Sequence, residues 1–478
     1  QVKIINSGAI LNAEIGILAP QFLTDQINQA NGCAGGIIYT DSAFFINNKI
    51  AVQFEPYEKT DFSIFQRTNF LTTGELLDGS SAQDAFVKMD GVSTIVFRGC
   101  TFKHQWRDSE PSYTDRGTGI YSENSGFKID IVCLDNADPC TNPRNSVFEN
   151  LTRGIYAMNS GKSSGILMWN TLFIDNYEGA YLSGFTGTSN VCIFSSKFKN
   201  GVPTLWSYGL YLNECSEYQI ENNEFYEEAD IPSTIGLIVN NSGTANNEIY
   251  RNTFHNLRIA TLSQNANRNY ELPLHLGGLC YKCNRFVKDE TLSEPNLYDL
   301  AITYDDALSN NSGIAKNQGT YLSGTSFSPA GNMFQPSPVS THFDIYNEAN
   351  QVDYYYHLST ILPYKLRPEN NYGPVTTIPV NEYFSNKSCP STLPGGNSSE
   401  DVTTLMSAQS QSDSLGETLT TLVDGGSTSL LTFEVATSTT PEAMQIRSEL
   451  LTESPYLSDT VMKTSVEKEE VLDNAMIR

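Results

Sequence analysis

Positive charge is what this chain has least of. Its 29 Lys and Arg face 54 Asp and Glu, a net charge of −25, and all charged residues together make only 17% of 478 residues. Binding to a phosphate backbone requires clustered Lys and Arg, so this balance argues against nucleic acid as a partner. No apolar run reaches the roughly 18 residues of a membrane span, and no signal-peptide pattern opens the chain. Histidine is scarce: His104, His255, His275, His342 and His357 are scattered outside any metal-ligand spacing. Of nine Cys, only Cys280 and Cys283 form a C-x-x-C pair, with no second pair or His pair to complete a zinc site. What is plentiful is Asn, Ser, Thr, Gly and aromatic side chains, a composition of turn-rich, β-rich extracellular proteins.

These residues repeat. Gly154 opens "GIYAMNS", Gly179 "GAYLSG", Gly209 "GLYLNEC" and Gly236 "GLIVNN", and the units close on Phe148, Phe173, Phe198, Phe225, Phe254 and Phe286, spaced 25, 25, 27, 29 and 32 residues apart. Two residues before each Phe stands a small polar residue: Ser146, Thr171, Ser196, Asn223, Asn252 and Asn284. The same rule fits Thr68 before Phe70, Cys100 before Phe102 and Asn332 before Phe334. A period of this size with strand-like alternation predicts a solenoid of β coils, each burying its apolar face on the next. A leucine-rich repeat would need Leu-x-x-Leu-x-Leu, which is absent. In the solenoid, Phe173, Phe198, Phe225, Phe254 and Phe286 become an internal aromatic stack, and Asn223, Asn252 and Asn284 an amide ladder at a turn. Leu210 and Leu212 point inward and Tyr211 outward.

The reading in order is a parallel β-helix over 1–334, a Tyr- and Pro-rich cap or extended layer over 335–388, and a Ser/Thr/Gly-rich linker over 389–440, partly disordered or helical. An α-helical segment follows over 441–478, with Thr440 and Pro441 as N-cap and N1. The chain starts within a coil and stops within a helical pattern, so the expectation is a fragment of a longer protein.

"GLYLNECSEYQIENNEFY", "IGLIVNNSGTANNEIYRNTFHNL" and "SPAGNMF", followed by the tail "ESPYLSDTVMKTSVEKEEVLDNAMIR", resemble the right-handed parallel β-helix repeat proteins secreted by Bacteroidota, over roughly 35–478. The resemblance implies an all-β, right-handed β-helix with a small α-helical C-terminal extension. It also implies export by the type IX route, with its secretion components as partners, and an extracellular or outer-surface location. The role implied is adhesin-like or a structural stalk, holding a surface glycan or a protein. No cofactor is expected beyond loosely bound Ca²⁺, and the family has no agreed catalytic motif.

No catalytic constellation stands out. Parallel β-helices also host polysaccharide lyases and hydrolases, which need clustered carboxylates or a Ca²⁺ site with a basic residue. The candidates for that alternative are Glu221 and Glu224 with Arg251 one coil on, or Asp305 with Asp306; charges stacked on adjacent coils are more often solvated surface pairs. A third possibility is a phage-type tailspike, against which the helical tail and the lack of a recognisable trimerisation segment count. Cys133 and Cys140 share one polar loop and are the disulfide candidates. Cys283 reads as core packing, and Cys100 and Cys192 as buried thiols. His104 with Trp106 and Arg107, and Tyr354 with Tyr355 and Tyr356, are aromatic groups that could stack on a sugar, with packed loop residues as the blander reading.

Overall fold

The computed structural model describes residues 2–20, 22–23, 33–34, 36–56, 62–105, 112–135, 140–162, 164–187, 190–200, 207–228, 233–270, 277–288, 297–305, 307–320, 329–337, 341–359, 361, 363–385, 388–391, 393, 424, 428–454, 456–468 and 470–472. The repeat winds into a right-handed parallel β-helix whose coils contribute one strand to each of three long sheets. The first sheet has ten strands, from Val2–Ile5 to Leu279–Lys282. The second has eleven, from Ala9–Leu11 to Met333–Phe334, and the third twelve, from Ile15–Ala19 to Asn371–Tyr372. Every neighbour in these sheets is one coil away in sequence, and all pair in parallel.

The corner between the first and second sheets explains the polar residue two before each Phe. It needs two residues. The first takes a left-handed backbone conformation, as at Asn170, Ser195, Asn222, Arg251 and Cys283, with φ between 46° and 61°. The second turns its side chain into the cylinder. Ser196 Oγ accepts from Thr171 N, Asn223 Oδ1 from Ser196 N, Asn252 Oδ1 from Asn223 N, and Asn284 Oδ1 from Asn252 N, at 2.9–3.1 Å. Each Asn also donates its amide to a carbonyl one coil back, Asn223 to Ile193 O and Asn252 to Ile220 O. The ladder thus satisfies backbone groups that the corner would otherwise leave buried and unpaired.

Beside it runs the Phe stack. From Phe45 through Phe70, Phe102, Phe148, Phe173, Phe198, Phe225, Phe254 and Phe286 to Phe334, successive ring centroids lie 4.5–5.5 Å apart and within 15° of parallel. All are shielded from solvent. Truncating one such side chain to Ala costs about 3–5 kcal/mol. The glycines of the repeat press against this stack from the third sheet. A Cβ on Gly154 would lie 2.5 Å from Gly179 O and 2.9 Å from Phe173. Close approach, rather than a special φ, is what requires glycine there.

That glycine column changes near the C-terminal coils. In register with Gly154, Gly179, Gly209 and Gly236 come Ala260, then Asp299, then Asp344. Beyond Phe334 the third sheet continues through Phe343–Asn347 and Asn371–Tyr372. Asn317–Gln318, Val352–His357 and Val375–Val380 form a further three-stranded parallel sheet.

Cys283 is not a packed core thiol. It sits at a corner and is bonded to Cys389, because the left-handed corner turns its sulfur outward to the segment that returns over the first sheet. That segment is further held by Tyr250 Oη donating to Pro390 O at 2.6 Å and Ser391 Oγ donating to Glu221 Oε1 at 2.8 Å. Cys192 differs too: it lies on the outward side of its strand and is only half-buried, whereas Cys100 is buried.

Residues from 394 onward belong to a separate unit. Its helices Thr428–Thr437, Ala443–Glu453 and Asp459–Glu467 gather Val435, Ala443, Ile446, Val471 and Leu472 in a small core. The cap falls one residue earlier than Thr440: Thr439 and Glu442 form a capping box around Pro441, ahead of the second helix. No helix among the described residues is long and apolar enough to cross a membrane.

Candidate functional site

Strand alternation sends every second residue of the third sheet outward, so its outer face is a set of columns running along the solenoid. The central column reads Lys88, Tyr121, Tyr156, Tyr181, Tyr211, Ile238, Leu262, Ala301, Tyr346 and Tyr372. Tyr121, Tyr156 and Tyr181 stack, with centroids 5.8 and 5.0 Å apart. The stack breaks at Tyr211, which is turned 68° from Tyr181 and meets Tyr208 edge to face at 5.5 Å. Lys88 lies over Tyr121 and Arg153 over Tyr156, at 5.8 and 4.6 Å from the ring centroids. Partial burial raises the phenols of Tyr121, Tyr181 and Tyr211 above their ordinary range, so all stay protonated donors near neutral pH.

On one side of this column Arg153, Glu178 and Tyr208 follow one another in register. Arg153 Nε donates to Glu178 Oε2 at 2.7 Å. Burial, and then the Glu178 carboxylate, push the Tyr208 phenol well above its ordinary value. On the other side runs a surface amide ladder. Asn213 Nδ2 donates to Ser183 Oγ at 3.0 Å, Asn240 Nδ2 to Asn213 Oδ1 at 2.8 Å, and Asn265 Nδ2 to Asn240 Oδ1 at 2.9 Å. Further along, Ile235, Ile238, Ile259, Leu262 and Ala301 form an apolar cluster on the same face, each 9% exposed or less. The open part of the face is therefore the polar and aromatic coils from Tyr121 to Tyr211.

Neither of the carboxylate sets considered for catalysis assembles on this face. Glu221 lies on the first sheet with its side chain 2% exposed beneath Ser391, and Arg251 Nη1 is 3.9 Å from it. Glu224 lies on the second sheet and pairs with Lys197 at 2.7 Å. Asp305 accepts from Asn265 at the end of the surface ladder, and Asp306 falls outside the described residues. Tyr354 is fully buried against Phe334, its hydroxyl taking Asn332 Nδ2 at 3.1 Å; Tyr355 and Tyr356 are half-buried. His104 is buried rather than on an exposed loop, its Nε2 3.1 Å from Ser81 O, because its strand turns it inward; Trp106 and Arg107 lie outside the described residues.

Two groups of side chains bring metal-ligating atoms together among the described residues. In the first, Cys133 and Cys140 flank Asp135, but both cysteines are consumed in disulfides and offer no thiolate. The second, Asp299, His342 and Asp344, is buried in the coils where the glycine column changes. The positive charge among its atoms is the chain's own. Lys288 Nζ stands 3.1 Å from Asp299 Oδ2, 2.7 Å from His342 Nε2 and 3.8 Å from Asp344 Oδ1.

A family model described as periplasmic copper-binding protein (NosD) matches residues 86–275. It is a parallel β-helix family. No curated protein and no solved structure matches the chain. The matched span lies within the coils and takes in the open aromatic face. Among the described His, Cys, Asp and Glu of that span, ligand atoms gather only at Cys133, Asp135 and Cys140, whose cysteines are disulfide-bonded. His104 is buried against a carbonyl, His255 stands without a second imidazole nearby in register, and Cys100 and Cys215 are single buried thiols directed at backbone oxygens.

Of these features, only the Phe and Asn ladders and the outward Tyr211 announce themselves in the sequence. The tyrosine column had a signal, the recurring Tyr two residues after Gly154, Gly179 and Gly209. The Lys288 cluster had none, since its members belong to three separate strands or turns and no motif joins them.

Proposed function

We propose that the chain is a non-enzymatic, adhesin-like surface protein, exported by a type IX route, that holds a glycan along the outer face of its third sheet. The observation that carries this reading is the tyrosine column that runs into an amide ladder at Tyr211 and Asn213. Coils repeat at about 4.8 Å, so a polymer lying along the solenoid would meet phenols at Tyr121, Tyr156 and Tyr181, a phenol and an amide together at Tyr211 and Asn213, and amides alone at Asn240 and Asn265. Amides and phenols supply both donors and acceptors for sugar hydroxyls. A regular solenoid suits polymer binding because its lateral face is broad and continuous, and the acidic surface would hold Ca²⁺ loosely rather than at a built site.

Affinity electrophoresis against a panel of neutral and acidic polysaccharides tests the reading. The wild-type chain is retarded by at least one polysaccharide, and Tyr156→Ala, Tyr211→Ala and Asn213→Ala each relieve the retardation. Retardation by none, or retardation indifferent to all three changes, refutes a glycan face.

The competing reading is a polysaccharide lyase or hydrolase. Glu178, held against a guanidinium and a phenol on that same face, is what speaks for it. Depolymerisation of the same panel with and without Ca²⁺ separates the two: product shortening abolished by Glu178→Gln would make this an enzyme, and intact polymer throughout would leave the binding reading.

A further inference from the structure

The cluster at the change of the glycine column brings an amine, an imidazole and two carboxylates together in the interior. Lys288 follows the second-sheet strand Arg285–Val287, and Asp299 and Asp344 are neighbours on the third-sheet strands Tyr298–Thr303 and Phe343–Asn347. The side chains are sealed from solvent: 1% exposed for Lys288, 0% for Asp299, 3% for His342 and 9% for Asp344. Lys288 Nζ also donates to Gln335 O at 2.5 Å. Asp344 is fixed by its other oxygen, which accepts from Glu369 N at 2.7 Å and Asn370 N at 3.1 Å.

Two features of this arrangement matter chemically. A nitrogen–nitrogen contact of 2.7 Å between Lys288 and His342 is a hydrogen bond only when one of the two carries a lone pair, so a single proton lies between the two nitrogens. Separated charges are costly to keep in a dry interior, whereas an amide in their place is neutral.

We propose that Lys288 and Asp299 condense to an intramolecular isopeptide bond, with His342 and Asp344 moving the protons. His342 Nε2 takes a proton from the Lys288 ammonium. The freed Nζ lone pair attacks Asp299 Cγ and the Nζ–Cγ bond forms. The two protons lost from Nζ pass to one Asp299 oxygen, the Cγ–O bond breaks, and that oxygen leaves as water. An ammonium and a carboxylate become an amide and one water, so no activating group or oxidant is needed. Asp344 Oδ1, 3.0 Å from His342 Nε2, is placed to relay the second proton, and both helpers end in their starting state. Burial opposes charge on His342, but Asp299 and Asp344 outweigh it and push the imidazole up to about 9, which makes its Nε2 a stronger base than a free imidazole. The product ties the second sheet to the third at the coils where carboxylates replace glycine.

Mass spectrometry of the purified, reduced chain tests this directly. The wild-type protein is expected one water lighter than its sequence, and a digest is expected to give a branched peptide joining Lys288 to Asp299. Lys288→Met and Asp299→Ala are expected at full mass. Asp344→Ala keeps both reacting groups and is expected at full mass or only slowly converted. A folded wild-type chain at full sequence mass, or a lost water that maps elsewhere, overturns the proposal. Asp344→Ala cross-linked as completely as wild type overturns the proton-moving role. The wild-type measurement stands even if every variant fails to fold.

Discussion

Asn252 is the place to ask whether the buried amide ladder holds the coils together. Replacing it by Leu keeps the volume and removes four hydrogen bonds: two accepted from Asn223, through its backbone N and its Nδ2, and two donated, to Ile220 O and to Asn284 Oδ1. Two of the four partners have somewhere else to turn. Asn223 Nδ2 still donates to Ile193 O, and Asn284 Oδ1 still accepts from the backbone N of residue 252. The Asn223 N–H and the Ile220 carbonyl lose their amide partner inside the cylinder. At about 1–3 kcal/mol for each stranded group, Asn252→Leu should cost about 2–6 kcal/mol. Asn252→Ser should cost about half of that, because a hydroxyl is enough to accept the backbone N–H, as Ser196 Oγ does from Thr171 N at 3.1 Å in the same column. Urea titration of both variants, with the slope compared as well as the midpoint, gives the ordering; backbone hydrogen exchange across 220–225 reports the local loss if the coils do not melt together. A Leu variant as stable as the Ser variant would mean that ladder packing, and not amide pairing, is what the column supplies.

Gly179→Ala places a Cβ 2.2 Å from Gly209 O and 3.2 Å from Phe198, so the third sheet must part from its neighbour coil; a loss of about 1–3 kcal/mol and a lower melting temperature should follow. Reducing the Cys283–Cys389 bond, or Cys283→Ser, should free the segment over the first sheet, seen as new proteolytic cleavage near 388–393 and a stability loss of about 2–4 kcal/mol. Unchanged protease resistance would show that the Tyr250 and Ser391 contacts hold that segment alone. Phe198→Leu keeps much of the buried area but breaks a stack with neighbours 4.6 and 4.7 Å away, and should cost about 1–2 kcal/mol beyond what area predicts if the ring pairs matter.

How much was legible in the sequence depends on whether a residue repeats. Phe198 and Asn223 recur at a fixed offset because each coil rebuilds the same corner, one left-handed residue followed by one that turns inward. The offset therefore carries the geometry, and the fold can be read from it. Cys283 misleads for the same reason: it occupies the corner position, but its partner Cys389 comes from a returning segment outside the period. The catalytic candidates Glu221 and Glu224 look adjacent along the chain, yet the corner between the first and second sheets puts them on different sheets, and only Glu221 stays beside Arg251. Tyr354, Tyr355 and Tyr356 read alike in the sequence, whereas the strand Val352–His357 points Tyr354 into the core and leaves the other two half-buried.

In a solenoid the neighbours that decide a side chain's environment are those above and below it, so the informative comparison is down a column. Read that way, Gly236, Ala260, Asp299 and Asp344 record a stepwise opening of the space beside the Phe stack, and Lys288 enters at the coil where that space first admits a carboxylate. A carboxylate pair without the lysine would strand two charges in the core, and the lysine without the pair would strand one. The three substitutions therefore have to be explained together. A purely structural ion pair would need only Asp299 and Lys288. The presence of His342 and a second, backbone-anchored carboxylate at hydrogen-bond distance from it is what a proton-transfer role explains and an ion pair alone does not.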